Sequence, residues 1–173
     1  MQAARDPKDL CGLILASTPG RPLGEVLREQ LEANPANAPV LADAEHALSE
    51  LEAGRKVDVS ALHPALRRFF GPAVQGFLIS IMAIDPAKRL AAYSGPVAIL
   101  QGDRDIQVSV ADAERLKSGS PAAKLVILAE VNHILKAVSS DDREANIATY
   151  GDPNLPIAPA IVDAVVDFVK AAR

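Results

Sequence analysis

The 173-residue chain has no tryptophan, four phenylalanines and two tyrosines, so its interior must be built mainly from aliphatic side chains. It has one cysteine, Cys11, which excludes an internal disulfide framework. No His or Cys cluster stands beside Cys11, which excludes a zinc knuckle. Cys11 opens an apolar run, where a small buried side chain is expected. No basic run occurs, and a net charge of −4 with pI near 5.4 gives a phosphate backbone nothing to grip, excluding nucleic acid as a partner. No stretch is long and apolar enough to cross a bilayer, so no membrane partner is expected. The first residues, Met1 to Asp9, contain no signal-peptide core, and a cytoplasmic protein is the expectation. The three histidines, His46, His63 and His133, are scattered and do not make a metal site. No cofactor is expected.

What is present reads as an α/β protein. At 49% hydrophobic and 23% charged residues the composition is globular, and the length predicts one domain over residues 1–173. Thirteen prolines predict broken helices and ordered turns. Ala3 to Pro7 reads as the last turn of a helix stopped by proline. Leu10 to Ser17 reads as a short buried strand closed by Thr18-Pro19-Gly20. From Leu23 to Ala92 the apolar spacing is helical: Leu23, Val26, Leu27 and Leu31, then Val40, Leu41, Ala44, Ala47, Leu48 and Leu51. Pro72 to Ile84 is apolar almost all round and predicts a helix buried on most sides. Asp85-Pro86 opens a short helix with Asp85 as its N-cap. Val97 to Gln101 and Lys124 to Leu128 read as strands, Val110 to Lys117 as a helix, and Ala160 to Ala171 as an amphipathic closing helix. Asp141 to Pro159 reads mostly as an irregular surface segment. Parallel strands with helical crossovers are the natural solution, because connections of this length cannot be hairpins.

Two reactive side chains stand just past the second and third strands, which is where open α/β sheets place their chemistry. The acid candidate is Asp105, in Gly102-Asp103-Arg104-Asp105-Ile106-Gln107-Val108. The base candidate is His133, in Val131-Asn132-His133. Alone, Asp105 also reads as a turn residue, and His133 as a loop-capping residue; together, in this strand context, they read as an acid–base pair. Asp103 is the competing carboxylate, expected to face solvent or pair with Arg104. His46 and His63 read as surface residues.

At these residues the chain resembles the C-terminal half of an α/β-hydrolase, in the serine-hydrolase group of esterases and serine aminopeptidase-like enzymes. In that pattern a glycine precedes the acid by three positions and an apolar residue follows it by three, and Gly102, Asp105 and Val108 fit. Asn132-His133 is similar to the segment carrying the family's histidine. The resemblance implies a partial α/β-hydrolase fold: about three parallel strands with flanking helices, and a helical cap over about 20–92 inserted between the first and second strands. It also implies that Asp105 orients His133, whose Nε2 would accept the nucleophile's proton.

The family's nucleophile sits in a Gly-x-Ser-x-Gly elbow, and no such motif occurs in this sequence. Ser17, Ser94 and Ser139-Ser140 lack the amide-rich, strained setting that a nucleophile requires. Cys11 would enter its strand from the wrong end. The expectation is a truncated hydrolase domain, inactive as this chain, whose substrate if completed would be a small ester or peptide. Two alternatives stand: a non-catalytic binding module, and a half-enzyme needing a second chain for its nucleophile. The edge of the first strand is expected to be exposed and to favour self-association. Phe69, Phe70, Phe77, Leu78, Ile81 and Met82 read either as a substrate pocket or as cap packing.

Overall fold

The computed structural model of the chain describes residues 10–172; the helical turn expected at 3–7 lies outside them. The elements in chain order are β1 (Leu13–Ala16), α1 (Leu23–Glu32), α2 (Leu41–Glu52), α3 (Pro64–Arg67), α4 (Pro72–Met82), α5 (Pro86–Ala91), β2 (Val97–Gly102), α6 (Val110–Gly119), β3 (Lys124–Leu128), α7 (Arg143–Ala148) and α8 (Pro159–Ala171). The prolines start helices more than they break them. Pro64, Pro72, Pro86 and Pro159 each open one, where the missing N–H costs nothing and φ is already helical. A reciprocal cap between Ser109 and Asp112 starts α6, and the Asp142 carboxylate accepts from Ala145 N at 3.0 Å to start α7. Past α2, Gly54 takes the left-handed conformation, φ 77°.

The three strands form one parallel sheet in the order β1–β2–β3, with Leu13 level with Val97 and Ala98 with Lys124. Alternation along the strands sends successive side chains to opposite faces. Leu13, Leu15, Val97 and Ile99 lie on one face with Leu90 of α5 and Ala113 and Leu116 of α6. Ile14, Ala16, Ala98 and Leu100 lie on the other with Ile161 and Phe168 of α8. Covering a parallel sheet on both faces in this way buries every residue of β2. β1 and β3, read from sequence as equally buried, are edge strands. All four β1 residues are half-buried, and Ile127 of β3 is exposed. Cys11, expected to be buried, is exposed.

The chain divides into two compact units: residues up to Gly20 together with those from Pro86 onward, and Arg21–Asp85. The first holds the sheet. The second is entirely helical and lies in sequence between β1 and β2. It ends at Asp85 rather than near Ala92, because α5 buries Leu90 among the strand and α6 residues.

The helical unit has its own core, in which Leu48 and Leu51 of α2 and Leu78 and Met82 of α4 pack with Leu62, Leu66 and Phe70. α4 is not buried on most sides as its composition implies. Val74 and Phe77 are exposed, the latter at 62%, while Gln75 is buried. The Gln75 amide donates to Val57 O at 2.9 Å and Phe70 O at 2.8 Å and accepts from Val57 N at 3.0 Å, pinning an irregular segment that has no ladder of its own. Phe69 is exposed as well, and Ile81 is half-buried. Of the stripe read as pocket or packing, Phe70, Leu78 and Met82 are core.

Candidate functional site

The site is built where β2 and β3 end. β2 stops at Gly102 and the chain turns at once: Asp105 N donates to Gly102 O at 3.4 Å. Asp103 N donates to Leu128 O at 3.1 Å and Arg104 N to Val131 O at 3.0 Å, so the turn is held against the segment leaving β3. This close approach explains the glycine. A Cβ on Gly102 would lie 2.0 Å from Val131 O, a distance no side-chain carbon tolerates.

The Asp105 carboxylate then folds back over its own loop. Its Oδ1 accepts from Gln107 N at 2.8 Å and Val108 N at 2.9 Å. Its Oδ2 accepts from Gln101 Nε2 at 3.1 Å. Gln101 is a polar residue in an otherwise apolar strand, and it is buried at 1% exposure because it serves this loop, donating also to Val108 O at 2.9 Å.

Past β3 the chain forms a tight hairpin. Val138 N donates to Glu130 O at 2.7 Å and Asn132 N to Lys136 O at 3.0 Å, with bridges pairing Val131 with Ala137 and Lys136 with Ile157. Glu130 and Leu135 are left-handed, φ 56° and 65°, which non-glycine residues adopt only where the surroundings over-determine them. His133 sits at the tip. Its Nδ1 lies 2.9 Å from Asp105 Oδ2 and 3.2 Å from Oδ1. The Asp105 side chain is fully buried, and that of His133 is 27% exposed. His133 Nε2 makes no hydrogen bond to any described residue.

Burial pushes the Asp105 carboxyl up. The hydrogen bond from His133, those from the Val108 and Gln107 amides, and the attraction of the imidazole outweigh it, and together they hold the group below the usual aspartate range. A buried carboxylate kept ionised beside one imidazole nitrogen has a defined chemical consequence. It selects the Nδ1–H tautomer and leaves the Nε2 lone pair free to accept a proton.

The structure thus brings together Asp105 and His133, which lie apart in sequence. Asp103 is exposed, but its Oδ1 accepts from Glu130 N at 2.7 Å, and Arg104 pairs with Asp141 at 2.9 Å rather than with Asp103. His46 and His63 are exposed on the helical unit. Ser17, at the end of β1, is left-handed at φ 44°, yet its Oγ is buried without a partner among the described residues, and Ser94, Ser139 and Ser140 are exposed. Among the described residues no group of three or more His, Cys, Asp or Glu could hold a metal ion, and no helix is long and apolar enough to cross a membrane.

Sequence reasoning missed three buried polar residues around the pair. Asn132 and Asn146 are almost fully buried, and Asn132 Nδ2 donates to Thr149 Oγ1 at 2.7 Å and Asn146 Oδ1 at 3.2 Å. Gln101 and Asn132 announce themselves by position, one inside an apolar strand and one next to the histidine. Asn146 carries no local signal. It lies on α7, inside the segment read as irregular.

Neither a protein-family model nor a curated protein matches the sequence. Solved structures do match. BpoC of Mycobacterium tuberculosis, described as a candidate non-heme bromoperoxidase, covers 98% of this chain at 11% identity with a TM-score of 0.50. Rv0554 of the same organism covers 98% at 12% identity, also with a TM-score of 0.50. An alpha/beta fold family hydrolase from Bacillus anthracis covers 99% at 12% identity with a TM-score of 0.46. The chain spans only 60–61% of the length of these structures. Its parallel sheet with helices on both faces is a partial α/β-hydrolase fold.

Proposed function

We propose that this chain carries the acid–base part of a hydrolase active site, with Asp105 as the orienting acid and His133 as the general base for ester or amide cleavage. The observation that supports this reading is the 2.9 Å contact between His133 Nδ1 and a fully buried Asp105 carboxylate. Pairing a buried carboxylate with a partly exposed imidazole is weak support for a purely stabilising role, because desolvating the charge offsets much of the attraction. In the reaction, His133 Nε2 takes the proton of an attacking hydroxyl and returns it to the leaving group, while Asp105 stabilises the imidazolium formed in between.

The chain has no Gly-x-Ser-x-Gly elbow, and none of its serines stands in an amide-rich turn open to substrate. We therefore assign it no hydrolytic turnover by itself. An acid–histidine pair without nucleophile and oxyanion donors retains little of an intact site's advantage over water. The arrangement fits a site completed by further polypeptide that presents a serine to His133 Nε2.

The test is hydrolysis of a short activated ester by the purified chain, beside its His133→Ala variant and free imidazole. Equal rates for chain and variant are expected. Turnover lost in the variant and well above that of free imidazole would overturn the assignment of inactivity and point to a nucleophile within this chain.

A further inference from the structure

We infer that Asn146 is a positioning residue that holds Asp105 and His133 in register. This rests on the reading of those two residues as an acid–base pair. The observation is that one buried amide touches both loops of the site. Asn146 Nδ2 donates to Arg104 O at 2.7 Å, on the residue preceding Asp105. Asn146 Oδ1 accepts from Asn132 Nδ2 at 3.2 Å, on the residue preceding His133. The amide offers one donor and one acceptor face, and each is spent on the neighbour of one member of the pair.

The loops otherwise meet through few links. Arg104 N reaches Val131 O, and Asp103 reaches Glu130 N. Both contacts lie on the strand side of the hairpin, and neither reaches Asn132, the residue next to His133. The Asn146 bridge acts on the other side. It is itself braced: Thr149 Oγ1 donates to Asn146 O at 2.7 Å while accepting from Asn132 Nδ2 at 2.7 Å. Lys136 Nζ reaches Thr149 O at 3.0 Å and also Asp152 O. Arg104 to Asp141 and Gln107 to Tyr150, at 2.9 Å and 3.2 Å, tie the acid loop to the same excursion. Residues 139–157 are therefore a strap across both loops, and Asn146 is the point where it engages them together. A bridge of this kind matters because a tautomer-selecting hydrogen bond is lost when its atoms separate by more than a few tenths of an ångström.

The readout is the tautomer of His133, which is independent of turnover. Long-range 15N–1H correlation spectra at alkaline pH distinguish Nδ1–H from Nε2–H, with His133→Gln supplying the assignment. In the parent chain a single Nδ1–H tautomer is expected. In Asn146→Ala the two nitrogen shifts should converge as Nε2–H becomes populated. Asn146→Asp, nearly isosteric, sets a carboxylate oxygen against Arg104 O and should do the same, which keeps the test decisive if the alanine variant fails to fold. Leu90→Val, on α5 in the core of the other sheet face, which includes no residue of either loop, is the control for stability loss and should retain Nδ1–H. If both Asn146 variants keep the parent tautomer, Asn146 is merely structural and the inference falls while the acid–base pair stands. Loss of the tautomer in Leu90→Val as well would also overturn it. If the parent chain itself shows Nε2–H, the Asp105–His133 pair is not formed and both readings fall.

Discussion

Replacing Gly102 by alanine should break the site with one carbon atom. The added Cβ would meet Val131 O at 2.0 Å, Val131 C at 2.6 Å and Val131 Cβ at 3.1 Å. The first two are backbone atoms, so no rotamer relieves the clash. Restoring even a tight contact of about 3 Å requires the hairpin to withdraw by roughly 1 Å. That displacement turns the 2.9 Å contact between His133 and Asp105 into one near 4 Å and lengthens Arg104 N to Val131 O by a similar amount. Losing a charge-assisted hydrogen bond and a neutral one removes roughly 2–4 kcal/mol, and residual overpacking acts in the same direction. The assay is urea unfolding of parent and variant, with the His133 tautomer recorded on the same samples. A stability loss below about 0.5 kcal/mol with the Nδ1–H tautomer retained would show that the loops are not held as described.

Gly76→Ala is the opposite case. Gly76 is exposed within α4 and a Cβ there meets nothing, so alanine should raise the urea midpoint, stabilising by about 0.5–1 kcal/mol. Gln75→Leu should destabilise by roughly 2–4 kcal/mol in the same experiment, because it strands Val57 N, Val57 O and Phe70 O without partners. Asp105 is held below its ordinary value in the folded chain, so its carboxylate stabilises the fold above the unfolded aspartate pKa of about 3.9, and that contribution disappears as pH falls through the depressed folded value. The urea midpoint of the parent should therefore drop on acidification from about pH 5 downward more steeply than that of Asp105→Asn; equal slopes would show that Asp105 is not held ionised.

Much of the sheet unit could be read from the chain because its signals are local. β3 lies at Lys124–Leu128 as the apolar run predicts, and β2 extends one residue past the expected Gln101. The lengths of the connections excluded hairpins and favoured the parallel pairing that the sheet has. Gly102 and Asp105 stand where a strand end, a tight approach and an acid are needed, and the histidine follows the next strand. Apolar composition misled at α4. Its apolar residues run all round the helix but only one side packs into the core, so Leu78 and Met82 are buried, Val74 and Phe77 are exposed, and a glutamine is buried to satisfy Val57 and Phe70. Polarity misled at 141–159, where short-range spacing hides α7 among turn residues.

Sequence alone placed Asp105 and His133 just past two strands and shows no Gly-x-Ser-x-Gly motif, since each of these depends on residue type and on spacing within a few positions. Only tertiary structure decided that Asp105 and His133 lie 2.9 Å apart, that Gln101, Asn132 and Asn146 are buried around them, and that Cys11 is exposed. Those outcomes depend on which backbone groups from distant segments remain to be hydrogen-bonded once the sheet has formed. A buried amide is placed by its partners, and the partners of Asn146 are Arg104 and Asn132, on two different loops of the chain.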